Sequence, residues 1–351
     1  MADRERLAQK VAHQGEICAR LGSALYGELL ARAAEDIRAG GPVARVLAGY
    51  EDAPGPAATA LRLMGGVHRV VLTGGAPELA AYYPSVGGRA DGVAAWPVFR
   101  AVVEEHHDEI RRMLVGPPQT NDVGRSAALV GGLLHLTAAT GRPVRLFELG
   151  TSAGLNLRAD HYRITGAGTA WGPADSPVVI DGWQGLAPPT DAPLEVVERV
   201  GCDVAPIDVG TEEGRLLLSS YVWADHVDRM TRLRGAFEVA ARVPAQIVHS
   251  AAVDCMSKLT LQPGALTVLW HSVMWQYVDP DEQRAVLKQI NEVAASATEQ
   301  APFAHLFLEP RRREPGGPHV FLVTASLWPH WPDERVLASS RAHGVPTTWE
   351  L

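Results

Sequence analysis

The chain has 351 residues, 46% of them hydrophobic and 21% charged, and a formal net charge of -8. That is enough sequence for a large core and for more than one average domain, in the composition of a soluble globular protein. The acidic balance excludes a protein whose main partner is nucleic acid, because phosphate binding needs a basic face. No apolar run approaches the length that spans a bilayer, so no membrane partner is expected.

Cys18, Cys202 and Cys255 are widely spaced, with no CxxC pair. This excludes a disulfide scaffold and a cysteine-based zinc site and suits a reducing compartment. The first residues, Ala2-Asp3-Arg4-Glu5-Arg6, are charged and carry no apolar segment of a secretory signal. A cytoplasmic protein is therefore expected.

Residues 4–38 place Leu7, Val11, Ile17, Leu21, Leu25 and Leu29 at helical spacing, and Gly40-Gly41-Pro42 breaks the pattern. Residues 69–73, followed by Gly74-Gly75, hint at a short strand and loop. A second helix is predicted over 94–114, with Phe99, Val102, Val103, His106, Ile110, Met113 and Leu114 on one face. Pro117-Pro118 closes a helical N-terminal domain expected over 1–118. The run Glu104-Glu105-His106-His107-Asp108-Glu109 has the composition of a metal site. A helix spreads those groups over several faces, and no His-Glu-x-x-His spacing occurs, so no metal is expected.

A third helix, over 121–139, leads through Gly141-Arg142-Pro143 into a different texture. Short apolar runs at 144–149, 246–253, 265–270, 303–308 and 319–325 now alternate with helical stretches. Apolar runs of this kind are what a parallel sheet covered on both faces requires. A helix over 280–297 is announced by Asp279 as cap, Pro280 in the first turn and Glu282 closing a capping box. The Gly-, Pro- and Asp-rich stretch 164–193 reads as loops or a small hairpin insertion, and 336–349 as strands at a sheet edge. The expected fold over 119–351 is α/β, with a doubly wound, mostly parallel sheet. Trp270, Trp275, Trp328 and Trp331 read as core, with Trp275 also able to line a pocket.

The sequence Val144-Arg145-Leu146-Phe147-Glu148-Leu149-Gly150-Thr151-Ser152-Ala153-Gly154-Leu155-Asn156-Leu157 reads as a buried strand, a tight turn and the start of a helix. An acid ends the strand and two glycines bracket the turn. A ligand can approach backbone N–H groups at such a place. The same letters spell Gly150-x-Ser152-x-Gly154, the strained elbow that presents a nucleophilic serine. A hydrolase or acyltransferase would draw on Ser152, then Asp254 or Asp279, then His319 or His343. Against it stand the mostly helical first 140 residues and the acid at 148. There is neither a Gly-x-Gly-x-x-Gly dinucleotide fingerprint nor a Walker lysine.

Glu148-x-Gly150-x-x-x-Gly154 resembles the first motif of class I S-adenosylmethionine-dependent methyltransferases, with Ser152 in place of the usual middle glycine. The resemblance implies a Rossmann-like sheet of methyltransferase type with S-adenosylmethionine bound by Glu148, Gly150, Thr151, Ser152, Gly154 and Asn156. It points to Asp203, at the end of the second strand, for the ribose and to Asp254, after the third, for the adenine. Arg125 is placed to pair with the cofactor carboxylate as a fork. Strand four leads into His271, a candidate general base, with Tyr277 downstream. Gln119, Thr120 and Asn121 are candidate substrate contacts or helix caps, and Trp275 a further substrate contact.

The whole chain is similar to a bacterial family of unknown function, domain-of-unknown-function family 2332. The signatures are Gln119-Thr120-Asn121-Asp122-Val123-Gly124-Arg125, the strand and turn at 148–157, and Trp270-His271-Ser272-Val273-Met274-Trp275-Gln276-Tyr277. This similarity implies a fold and a cofactor but no reaction. The leading expectation is a methyltransferase acting on a small molecule, with the helical part as a wall of the substrate pocket. The serine hydrolase stands second, and a non-catalytic nucleoside-ligand-binding protein third. A homodimer is the general expectation for a soluble chain.

Overall fold

The computed structural model describes residues 2–54, 58–116 and 118–351. Pro117, expected to help close the helical part, lies outside them. The chain forms two compact units, Met1–Thr120 with Thr211–Met230, and Asn121–Gly210 with Thr231–Leu351.

The first unit is helical. Two helices, α1 (Ala2–Arg20) and α2 (Ala24–Ala39), replace the single helix expected over 4–38. Gly22 takes φ +97, and the Ser23 hydroxyl accepts the Tyr26 N–H at 3.2 Å, so one helix stops and another is capped within three residues. The short α3 (Pro42–Val46) follows. Residues 69–72, expected to begin a strand, belong to α4 (Thr59–Leu72). The buried set Leu63, Val67, Val70 and Val71 has helical spacing, and the Val-Val pair mimics a strand only locally.

After α5 (Pro77–Ala80), the helix expected over 94–114 divides into α6 (Gly92–Glu105) and α7 (His107–Met113), where His106 leaves helical geometry at φ -100, ψ 27. Phe99, Val102, Val103, Ile110 and Leu114 are nonetheless all buried. In the acidic-histidine run, Glu104 pairs with Arg45 at 2.6 Å, His106 with Glu109 at 3.3 Å and His107 with Asp108 at 2.9 Å. Among the described residues, no group of three or more His, Cys, Asp or Glu side chains could hold a metal ion. No described helix is long and apolar enough to cross a membrane.

The second unit begins with α8 (Ser126–Thr140), buried along nearly its whole length, and β1 (Val144–Leu149). The stretch expected as loops or a small hairpin does hold a hairpin, β2 (Arg163–Gly166) and β3 (Thr169–Trp171), and adds a third strand, β4 (Val179–Gly185). Then comes β5 (Val196–Asp203); α9 (Glu212–Ser220) and the first residues of α10 (Val227–Ala240) belong to the first unit, and β6 (Gln246–His249), α11 (Ala252–Met256) and β7 (Leu266–Ser272) follow in the second. The chain closes with α12 (Pro280–Ala295), β8 (Phe303–Arg312), β9 (His319–Trp328), β10 (Trp331–Ser340) and β11 (Thr347–Trp349). Asp279 caps α12 through the Asp281 N–H at 2.8 Å. Glu282 does not close the expected capping box but accepts the Val253 N–H at 3.3 Å, tying α12 to α11.

All eleven strands form one sheet, in the order β3-β2-β4-β11-β10-β9-β8-β7-β1-β5-β6. The run β8-β7-β1-β5-β6 is entirely parallel, and β9, β10 and β11 follow as an antiparallel meander. The excursion after β1 completes the far edge, where β4 pairs with β11. Every residue of β1 and β7 is buried, as strands covered on both faces must be. On one face, Gly132 of α8 lies against Leu306; on the other, Met256, Val286 and Ile290 pack with Phe147, Leu269 and Phe303. The protein is thus mixed α/β with a large, mostly parallel sheet. Trp270 is fully buried, whereas Trp275, Trp328 and Trp331 are half-buried.

Candidate functional site

The connections out of β1 and into β7 run to opposite sides: β1 is followed in the parallel run by β5, and β7 receives the chain from β6. Their adjacent carboxyl ends form a topological switch point, the place where open α/β sheets bind ligands. Two non-glycine residues with positive φ stand there, Ser152 at +53 just beyond β1 and Val273 at +51 just beyond β7. For β-branched Val273 this backbone is a genuine outlier, and such strain gathers at functional sites.

The turn after β1 is cross-braced. Gly150 (φ +66) and Gly154 (φ +68) allow the two reversals. A Cβ on Gly150 would stand 2.9 Å from Met274 Cβ, so glycine also permits close approach of the loop beyond β7. The Thr151 N–H bonds the Cys202 carbonyl at 3.0 Å, and its hydroxyl donates to Glu148 Oε2 at 2.5 Å. The Ser152 N–H donates to Asp203 Oδ2 at 2.8 Å, while Asp203 Oδ1 accepts from Ala205 N–H at 2.8 Å. Asn121 Oδ1 accepts the Leu155 N–H at 2.8 Å, and Ser126 donates to Asn156 Oδ1 at 2.8 Å.

One expectation changes here. The helix expected after the turn is a short 3-10 helix, Asn156–His161, because the Tyr162 hydroxyl bonds the Leu155 carbonyl at 2.6 Å and the chain turns at once into β2. It is too short for a macrodipole argument. Arg125 spends Nε on the Ala342 carbonyl and one terminal nitrogen on the Ser272 carbonyl, both at 3.0 Å, and so braces the end of β7.

Electrostatically the main feature is Glu148. Burial pushes its pKa up to about 8, with a further push from Asp203. The Thr151 hydroxyl, the Arg125 charge and the Trp270 indole oppose that rise. At neutral pH the carboxyl is mostly protonated, an acid held neutral under the turn.

His271, the candidate general base, lies at the end of β7. It is 3% exposed, with Nδ1 2.9 Å from Glu309 Oε1 and Nε2 3.0 Å from His305 Nε2. Both ring nitrogens are thus engaged by buried neighbours. Trp275 stacks on it, with centroids 5.0 Å apart and planes at 23°. Tyr277 is 68% exposed. Asp254 is exposed in the first turn of α11, and no hydrogen bond among the described residues links it to the turn. Gln119 is half-buried and Thr120 exposed, both within the first unit.

The structure therefore gathers Glu148, Gly150, Thr151, Ser152, Gly154, Asn156, Asp203, Asn121 and Arg125. It adds two residues that the sequence reading missed, His305 and Glu309. Their signal was present: His305, Phe307 and Glu309 alternate along β8, which places two polar groups on one face of an apolar strand.

The serine-elbow geometry is incomplete. Ser152 Oγ is buried with no hydrogen-bond partner among the described residues. Asp279 is spent as a helix cap, His319 is exposed, and His343 Nδ1 is 2.7 Å from Asp122 Oδ2. No described strand precedes β1.

The braced glycine turn thus lies at the switch point of a large, mostly parallel sheet in a mixed α/β protein. The chain belongs to the family described as uncharacterized protein conserved in bacteria (DUF2332), whose model matches residues 8–349. No curated protein and no solved structure matches it.

Proposed function

We propose that the protein is an S-adenosylmethionine-dependent methyltransferase acting on a small molecule. The observation that carries this reading is the bond from the Ser152 N–H to Asp203. It joins the turn after β1 to an acid at the end of the adjacent strand β5, beside the switch point. Counted in chain order, the five parallel strands lie as 3-2-1-4-5, the order of a Rossmann-like nucleotide-binding sheet.

The residues present suit the cofactor. Each Asp203 oxygen keeps a lone pair beyond the bond it already accepts, and so can take a hydroxyl donor. Ser152 Oγ is a buried hydroxyl with no partner among the described residues. Glu148 offers a neutral carboxyl that a nearby cation would ionise. When bound, S-adenosylmethionine supplies an electrophilic methyl group. The chain's part is to hold and orient, since methyl transfer gains chiefly from proximity and alignment.

The test is a calorimetric titration with S-adenosylhomocysteine on the wild type and on Gly150→Arg, with circular dichroism as a check of fold. Micromolar binding that the folded variant loses is expected. No binding to the wild type overturns the reading, and labelling of Ser152 by an active-serine phosphonate would then favour the hydrolase.

A further inference from the structure

Three N–H groups converge on one carboxylate oxygen beneath the loop that follows β7. Glu309 Oε1 lies 2.9 Å from His271 Nδ1, 3.1 Å from the Met274 N–H and 3.3 Å from the Trp275 N–H. Glu309 and His271 are each 3% exposed. The oxygen accepts, so Nδ1 of His271 carries the hydrogen. Nε2 of the same ring lies 3.0 Å from His305 Nε2. His305 is held neutral by burial, by His271 and by Arg311, which together keep its pKa well below the ordinary range. His305, His271 and Glu309 are therefore joined in one buried hydrogen-bonded chain.

The loop so held is a strained one. Val273 sits at φ +51 with its N–H on the Leu308 carbonyl at 2.9 Å. A β-branched residue keeps that backbone only where its surroundings over-determine it. Immediately after it, Met274 packs against Gly150, and Trp275 lies over His271. Glu309 thus fixes both residues that follow the strained position, one of them against the glycine turn.

We propose that Glu309 is a positioning residue for the candidate site. Through one oxygen, it holds the loop 273–275 in register with the turn at Gly150, and His305 and His271 keep that oxygen in place. The proposal rests on the reading of that turn as the cofactor site. Glu309 touches neither ligand nor reacting atoms; it acts through Met274 and Trp275.

The experiment combines amide hydrogen exchange with calorimetric titration of S-adenosylhomocysteine, on the full chain and on three variants. Glu309→Ala removes the acceptor. Glu309→Asp keeps the charge but withdraws the oxygen by one methylene, and serves should the alanine variant not fold. Glu309→Gln keeps an oxygen able to accept the same bonds. The alanine and aspartate variants are expected to speed exchange at Met274 and Trp275 by about tenfold or more, leave the β7 amides protected and weaken binding by about tenfold. Glutamine is expected to restore both, which a merely structural role would not predict. Unchanged exchange at Met274 and Trp275, loss of protection spread evenly over β7 and β8, or unchanged affinity each overturns the proposal. If the wild type binds no S-adenosylhomocysteine, the cofactor reading falls, and the exchange pattern alone decides whether Glu309 holds the loop.

Discussion

The Thr151 hydroxyl donates a 2.5 Å hydrogen bond to Glu148 Oε2, across three residues of a turn buried from solvent. This bond favours the carboxylate, yet desolvation outweighs it and the acid's pKa rises to about 8. The sign of its effect on stability follows. In the unfolded chain the group titrates near 4.5, so between that value and about 8 the folded chain keeps a proton that the unfolded chain releases. Its contribution is fully present below pH 4.5 and is lost as pH rises through 8. The slope is at most about 1.4 kcal/mol per pH unit. Glu148→Gln should flatten that slope in urea unfolding measured from about pH 5 to about pH 8.5. Equal slopes in both proteins would show that the acid is ionised in the fold.

The same neutral acid makes a prediction about binding. A sulfonium cation placed near Glu148 lowers its pKa, so S-adenosylmethionine should release up to about one proton at neutral pH. Calorimetry in two buffers of different ionisation enthalpy counts that proton. S-adenosylhomocysteine, which lacks the sulfonium charge, should release fewer. Identical counts for the two ligands would place the charge away from Glu148.

Asp203 staples the turn to the end of β5 through the Ser152 and Ala205 N–H groups, both at 2.8 Å. Asp203→Ala should lower stability by about 1.5–3 kcal/mol, the usual worth of hydrogen bonds to a charged acceptor. Asp203→Asn, which keeps one acceptor oxygen, should lose less of both stability and ligand affinity. A neutral effect of the alanine change would mean that the turn holds without the staple.

Ser152 has a left-handed backbone and a buried hydroxyl without a partner among the described residues. A side chain in that region costs about 1–2 kcal/mol, while glycine's extra unfolded-state freedom offsets about 0.5–1 kcal/mol. Ser152→Gly should therefore raise stability by up to about 1 kcal/mol in chemical unfolding. A phosphonate probe should leave wild-type Ser152 unlabelled; labelling would identify the residue as a nucleophile.

Much of the second unit was legible in the sequence. The apolar runs at 144–149, 265–270 and 303–308 fall in β1, β7 and β8, and Asp279-Pro280 does start α12. Helix breaks were harder to see, because Leu21 and Leu25 keep helical spacing on either side of a chain reversal at Gly22. In the insertion the β2–β3 hairpin was legible but the extra strand β4 was not, for a related reason. Strands β2 to β4 are short and half-exposed, and they become strands by pairing with one another and with β11, more than 150 residues on.

The strand, the glycine turn and the acid between them were legible from residue order alone, since periodicity and the need for positive φ are set by neighbours along the chain. Only the tertiary structure decided what those residues are chemically. Burial made Glu148 a neutral acid. Strand register brought His271 to Glu309, 38 residues away. Sheet order brought Asp203 to Ser152 across 51 residues. Desolvation and register depend on groups far apart in the chain, and local pattern carries no record of them.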